Sequence, residues 1–193
     1  VARYIVGITG ASGSVYGKRV VEELAKEHEV FLIVTDNGRK VFEYELGVQM
    51  DQWLDEITKS GANVKVCDID NMFAPVASGS FQIDGMVILP CSMGSLAKIC
   101  HGTSDNLLIR AADVMIKEKR RLILVPRETP FSTIHLKNML ALSELGVILL
   151  PPMPAYYHLP KSIEEMVELT VGRILNHLGV SNDLHQQWIG RSS

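Results

Sequence analysis

Four stretches carry side chains whose types and spacing could do chemistry. Gly7-Ile8-Thr9-Gly10-Ala11-Ser12-Gly13 is a G-x-x-G-x-x-G run. Glycines there permit a tight turn and close backbone approach, and unpaired amides at a helix start suit a phosphate. The spacing is not the dinucleotide G-x-G-x-x-G, and no Lys follows as in a P-loop. A tight strand-to-helix turn explains it equally well. Ser92-Met93-Gly94-Ser95 is a second polar helix start, which N-capping by Ser92 alone would also explain. Arg110, Asp113 and Lys117 fall at i, i+3 and i+7 on one helix face, either a site or a solvated ion-paired stripe. Arg127-Glu128 directly follows an apolar run, where charges are costly unless paired or bound to something. That predicts a site.

Other reactive types point to less. Cys91 has no His near it in sequence and reads as a small core residue. His101, His135 and His158 lack metal-ligand spacing, so no metal is expected. Pro151-Pro152-Met153-Pro154 is too stiff for a helix and predicts an extended wall carrying Tyr156 and Tyr157. Tyr157 and Lys161 have the spacing of a dehydrogenase Tyr–Lys pair, and Asp36 could hold a ribose. Such a pair needs one helix face, and Pro160 lies between the two. The dehydrogenase reading falls.

The elements that would position these residues alternate. Val-, Ile- and Leu-rich runs at 4–9, 30–35, 64–68, 86–89, 122–125 and 147–150 read as strands buried on both faces. Helix-spaced patterns occupy 16–26, 37–46, 93–100, 105–119, 134–145 and 162–178. The last has Ser162 as cap, Glu165 at the capping-box position and Gly179 just past its end. The expected fold is one α/β domain over 1–193. It is a doubly wound, mostly parallel sheet, Rossmann-like or flavodoxin-like, flanked by helices. Ligands of such sheets sit beyond the carboxyl ends of the strands. The segments Gly10–Gly13, Thr35–Gly38, Pro90–Ser95, Arg127–Pro130 and Pro151–Tyr157 all follow strands there.

Composition removes several classes. The 193 residues carry 19 Lys plus Arg against 22 Asp plus Glu, a formal charge of −3. No basic excess favours a nucleic acid or an acidic membrane surface. The longest apolar runs are strand-length, far below a membrane span. Three cysteines without C-x-x-C read as reduced thiols, and the chain opens on a strand pattern, so a cytoplasmic location is expected.

Taken in order, the motifs resemble the flavin prenyltransferases, the UbiX/Pad family associated with UbiD-type decarboxylases. Gly7 to Gly13, Ala77-Ser78-Gly79-Ser80-Phe81, Pro90-Cys91-Ser92-Met93 and Arg110-Ala111-Ala112-Asp113-Val114 carry the likeness. It continues through Lys117-Glu118, Val125-Pro126-Arg127-Glu128-Thr129-Pro130, His135-Leu136-Lys137-Asn138-Met139 and Pro152-Met153-Pro154-Ala155-Tyr156-Tyr157, to Trp188. The segment from Leu46 to Met72 matches least and carries no motif. The resemblance implies a flavodoxin-like homo-oligomer, typically a dodecamer, with FMN near subunit interfaces and no metal. Such enzymes join a dimethylallyl group from dimethylallyl monophosphate to reduced FMN, the co-substrate. Bonds form at flavin N5 and then C6, and the prenylated FMN passes to a UbiD-type decarboxylase.

Position by position, the resemblance implies that Gly10, Ala11, Ser12, Thr35, Ser92, Met93, Gly94, Ser95 and Arg127 hold FMN, with Ser12 near N5. Thr35 stands where the family usually has Ser. Ser78, Glu45, Arg110, Lys117, Glu128, Tyr157 and Arg173 would line the prenyl-phosphate pocket, with Tyr157 and Arg173 on the phosphate. Departure of phosphate from an allylic carbon builds negative charge on oxygen, which preorganised Arg, Lys and Tyr donors would stabilise. Closure at C6 releases a proton, to the leaving phosphate or to Glu128 relayed through Ser12. Two rivals share the FMN site. Cysteine-oxidising decarboxylases carry a Pro-x-Met-Asn-x-x-Met-Trp motif that is absent here. The second is an FMN-binding subunit of a hydroxyarylic-acid decarboxylase complex.

Overall fold

The computed structural model describes residues 1–184; Trp188 lies outside the described residues. Six strands form one sheet in the order β3-β2-β1-β4-β5-β6, every neighbouring pair parallel. They are β1 (Arg3–Ile8), β2 (Glu29–Val34), β3 (Val64–Cys67), β4 (Gly85–Cys91), β5 (Leu122–Pro126) and β6 (Ile148–Leu149). Of the strand orders left open by the sequence, this is the Rossmann one, whose direction of winding reverses between β1 and β4. The helices are α1 (Ser14–Leu24), α2 (Asp36–Leu46), α3 (Met50–Lys59), α4 (Met93–Cys100), α5 (Leu107–Lys117), α6 (Thr133–Glu144) and α7 (Ile163–Leu178). None is long and apolar enough to cross a membrane.

Strand alternation splits the core in two. Ile5, Phe31, Ile33, Met86, Ile88 and Leu124 face one layer, filled by α4 and α5. Val6, Ile8, Leu32, Val87, Leu89 and Val125 face the other, filled by α1, α3 and α7. The central strands are buried as expected. The edge strands are not: β3 is half exposed, and β6 is only two residues long. Helix α3 falls in the stretch without a motif. It buries Met50 and Trp53, three apart, under α1 and α2. On the opposite side of the molecule α6 buries only Asn138 and Leu142. Ile134, Leu136 and Leu140 stand exposed on it.

Beyond the end of the β1–β4 ladder one hydroxyl links the two loops at the reversal. Thr9, 1% exposed, donates Oγ1–H to the Pro90 carbonyl at 2.8 Å and accepts from the Ser92 amide at 2.8 Å. The need arises from Pro90. It has no N–H to give a ladder, and the β4–β5 register shifts between Ile88 and Cys91. The loop after β1 then enters α1 through Gly13, whose φ of 109° is left-handed and favours glycine. Gly17 brings α1 down onto β4, where a Cβ would lie 2.7 Å from the Leu89 carbonyl oxygen. Arg19 ties α7 to α1, donating to Glu168 at 2.7 Å and to Glu22 and Glu23 within α1.

Thr9→Val removes both hydroxyl bonds and orphans the buried Ser92 amide. It is expected to cost about 1–3 kcal/mol of unfolding free energy, read as a lowered urea midpoint with unchanged slope. Thr9→Ser should recover most of it. Equal midpoints for wild type and Thr9→Val would disprove the clasp.

Candidate functional site

Two clefts open beyond the carboxyl ends of the strands, separated by the loop after β1. The first has a volume of about 570 Å³, inside the roughly 300–1,000 Å³ range of small-molecule sites. Gly10, Thr35, Asn37, Ser92, Gly94 and Ser95 line it, with Lys40, Lys98 and Asn106. Thr35 and Ser92 are the N-caps of α2 and α4; Thr35 Oγ1 accepts from the Gly38 amide at 3.0 Å, and Ser92 Oγ from the Ser95 amide at 3.2 Å. Capping explains both hydroxyls locally, and the cleft gives them a second surface. Gly10 is required by close approach, because a Cβ there would lie 2.7 Å from Asn37 Cβ. Ala11 and Met93 are buried, so only their backbone can serve a ligand.

The second cleft, about 680 Å³, is more apolar. Val15, Leu46, Pro152, Ile163 and Val167 form its apolar walls, and its polar groups include Ser12, Glu45 and Arg127, with Arg19, Glu164 and Glu168 towards α7. Glu45 reaches across from α2 to the start of α1, which has no side-chain cap of its own. Its carboxylate accepts from the Gly13 amide at 3.0 Å and the Ser14 amide at 2.9 Å. Burial works to raise this carboxyl, but the Ser12 hydroxyl and the Ser14 and Gly13 amides outweigh it and hold it below the ordinary range. Ser14 Oγ, buried beside it, meets no partner in hydrogen-bond geometry. Glu45 is therefore a carboxylate at neutral pH.

The expected site residues do not all meet within one chain. Gly10, Ser12, Thr35, Glu45, Ser92, Gly94, Ser95 and Arg127 line the two clefts. Glu128 is exposed, with its carboxylate accepting from the Thr129 amide at 3.0 Å. The carboxylate beside Ser12 is that of Glu45. Exposure of Arg127 and Glu128 also removes the burial cost that made them suspicious in the sequence. Tyr157 lies in the helix-free segment before α7, 52% exposed, its ring 4.2 Å from that of His158.

Ser78, Lys117 and Arg173 lie elsewhere. Asn106 and Ile109, at the start of α5, line the first cleft, whereas Lys117 is eight residues further on, about 12 Å along the helix. There α5 turns back into β5, at the amino edge of the sheet. The loop carrying Ser78 runs beside it, with the Ala77 carbonyl accepting from Arg110 Nε at 3.1 Å. Arg110 also pairs with Asp113 at 2.7 Å, and Lys117 pairs with Glu118. Arg173 is exposed on α7, ten residues or about 15 Å from Ile163. Within one chain these residues lie away from the two clefts, because α5 and α7 run away from the carboxyl edge.

Lys40, Lys98 and Asn106 were not expected. Lys98 follows Ser95 by three and Lys40 follows Asn37 by three, each on a helix that starts at the clefts. Extending the helical spacing from the two caps would have found both lysines. Cys91 is fully buried and its thiol pushed up to about 12 by burial, which makes it inert. Among the described residues no three His, Cys, Asp or Glu side chains are grouped to hold a metal.

Comparison with known proteins agrees with this architecture. The flavoprotein family profile matches residues 2–175. The flavin prenyltransferase UbiX of Halalkalibacterium halodurans is 50% identical over 190 residues, 96% of this chain and 92% of that protein. That of Methanocaldococcus jannaschii is 44% identical over 186 residues, 96% and 98% of the two chains. The crystal structure of AnUbiX (PadA1), in complex with FMN and dimethylallyl pyrophosphate, superposes with a TM-score of 0.92 at 39% identity over 99% of each chain. A dodecameric FMN-dependent UbiX-like decarboxylase from Escherichia coli O157:H7 gives 0.90 at 39% identity, covering 97% of this chain and 100% of that one. The peptidyl-cysteine decarboxylase EpiD, at 15% identity and 0.59, shares the fold. With half of its residues identical to a UbiX protein over nearly its whole length, the chain belongs to the flavin prenyltransferase family.

Proposed function

We propose that the chain is an enzyme that transfers a dimethylallyl group from dimethylallyl monophosphate to N5 and then C6 of reduced FMN. Its product, prenylated FMN, would be consumed by a UbiD-type decarboxylase. The observation that carries this reading is the pair of clefts at the β1/β4 reversal, one polar and one apolar, divided by the loop that holds Ser12. Residues of the first cleft fit FMN. The Gly10 approach leaves room for a ligand against the backbone, and hydroxyls of Thr35, Ser92 and Ser95 stand with Lys40 and Lys98. Those are partners for a phosphate and a chain of hydroxyls. Reduced FMN would supply the electron-rich ring that takes the five-carbon group.

The chain's own part is binding, exclusion of water and proton handling. The second cleft offers Val15, Leu46, Ile163 and Val167 to a five-carbon chain. Arg127 supplies it with a fixed positive charge. Glu45, ionised and beside Ser12, is the base placed to take the C6 proton through the Ser12 hydroxyl. Ser78, Arg110, Lys117 and Arg173 serve as phosphate donors to a neighbouring copy, since in their own chain Ser78, Lys117 and Arg173 lie outside both clefts. That reading requires a homo-oligomer. Exposed Ile134, Leu136 and Leu140 on α6 give it an apolar face to bury, consistent with the dodecameric E. coli relative.

Anaerobic incubation with reduced FMN and either dimethylallyl monophosphate or the pyrophosphate is expected to give a flavin heavier by one five-carbon unit. Mass spectrometry of the released flavin reads it. Bound FMN with no mass gain from either donor would instead favour an FMN-dependent decarboxylase, the activity named for the E. coli relative.

Three further outcomes are expected. Glu45→Gln should slow prenylation more than tenfold while leaving FMN bound. The pH dependence has a definite sign. The folded Glu45 carboxyl lies below the ordinary glutamate range, held there by the Ser12 hydroxyl and the Ser14 and Gly13 amides against burial, so its stabilisation is present above that range and is lost as pH falls through the lower folded value. The stability gap between wild type and Glu45→Gln should therefore close on acidification; a gap that widens would sink the cap. Leu136→Asp with Leu140→Asp should yield smaller particles in light scattering and abolish prenylation. Full-size particles from that variant would move the interface elsewhere.

A further inference from the structure

The loop that carries Ser78 is held from behind by two arginines. Residues 78–81 form a turn, closed by the Phe81 amide donating to the Ser78 carbonyl at 3.2 Å. Three carbonyls of this loop point to helix α5 and the residues that follow it. Ala77 O accepts from Arg110 Nε at 3.1 Å, Gly79 O from Arg120 Nη2 at 2.6 Å, and Phe81 O from Arg120 Nη1 at 2.8 Å. On the outer side Ser78 and Ser80 are exposed, and their hydroxyls bond each other at 2.9 Å. Phe81 anchors the end of the turn, its ring edge-on to Phe31 at 5.5 Å and beneath the Arg3 guanidinium at 5.0 Å. Gly79 lies directly against Lys117 and Glu118; a Cβ there would lie 2.8 Å from Lys117 Nζ. Turn and lysine are therefore packed as one piece.

We propose that Arg120 is the positioning residue of this piece: by clamping Gly79 O and Phe81 O it fixes the Ser78 hydroxyl beside the Lys117 ammonium, ready to receive a phosphate. Arg120 is part-buried and its guanidinium spans two carbonyls with two separate donors. A planar fork does this with one side chain, and a lysine can do only part of it. The clamp reaches across about 40 residues of sequence, because Arg120 is 41 residues from Gly79 and 39 from Phe81. Without it the two carbonyls fall to water, and Ser78 loses its fixed distance from Lys117. Small losses of placement at a phosphate site cost roughly 10- to 100-fold. The proposal rests on the reading of Ser78 and Lys117 as prenyl-phosphate donors.

The test uses the assembled, FMN-loaded protein and dimethylallyl monophosphate as the varied substrate. Arg120→Ala is expected to raise KM for the monophosphate about 10-fold or more while kcat and the FMN Kd stay within about twofold. Arg120→Lys should recover part of the KM. Hydrogen exchange should quicken at the amides of residues 80 and 81 in Arg120→Ala, whether or not turnover is measured. An unchanged KM in Arg120→Ala overturns the proposal. So does a joint fall in kcat, FMN binding and Tm that lysine does not relieve, since that marks a structural role alone. Ser78→Ala separates the two readings. If it raises KM while Arg120→Ala does not, only the clamp is wrong; if neither raises it, the assignment of the phosphate site is wrong and the clamp falls with it.

Discussion

The loops after β1 and β4, where the site opens, are held together by the hydroxyl of Thr9. A parallel sheet that reverses its winding leaves a gap where β1 and β4 diverge, and the loops on either side must be held to a fixed separation for that gap to become a site. Here the constraint is sharpened by Pro90, which ends the regular ladder one strand-turn early and leaves a carbonyl and the Ser92 amide to be satisfied. A single buried Oγ donates to one and accepts from the other. The turn into α1 and the cap of α4 are thereby set by one side chain with little rotamer freedom. Gly10 and Ser12 hang from the first and Ser92 to Ser95 from the second.

The helices extend that order to the far edge of the molecule. Each crossover helix in a parallel sheet starts at the carboxyl edge and ends at the amino edge, so residues two or three turns apart on it serve opposite surfaces. Asn106 and Ile109 belong to the cleft, and Lys117 on the same helix belongs to the surface around Ser78. A net charge of −3 hid both groups of cations. On the proposed roles, the two surfaces are brought together by a neighbouring copy. The exposed apolar face of α6 gives that association a driving force.

Much of this was legible in the sequence. Buried strands made nearly continuous Val, Ile and Leu runs, and Ser92, Ser162 and Gly179 announced helix ends that the structure places there. Between Leu46 and Met72 the strand at 64–68 was legible, but helix α3 was not expected, although Met50, Trp53, Leu54 and Ile57 have helical spacing, because no chemically active residue type marks it. The seating of Glu45 on the first amides of α1 was invisible for a different reason. It depends on the angle at which α2 crosses the start of α1, and no local pattern encodes an interhelical angle. Nor could spacing reveal that Arg120 grips a turn some forty residues upstream.

The Glu45 cap has a consequence for which cofactors the fold will tolerate. In dinucleotide-binding sheets of the same strand order, the pyrophosphate rests on the amides at the start of the first helix. Those amides are already spoken for here by an internal anion. A second anion brought to the same amides would meet the Glu45 carboxylate and find those N–H groups already bonded. Self-occupation thus works against a pyrophosphate at this turn and favours a ligand that meets it with an uncharged part of its structure. A flavin satisfies that condition, because its phosphate and its ring lie at opposite ends.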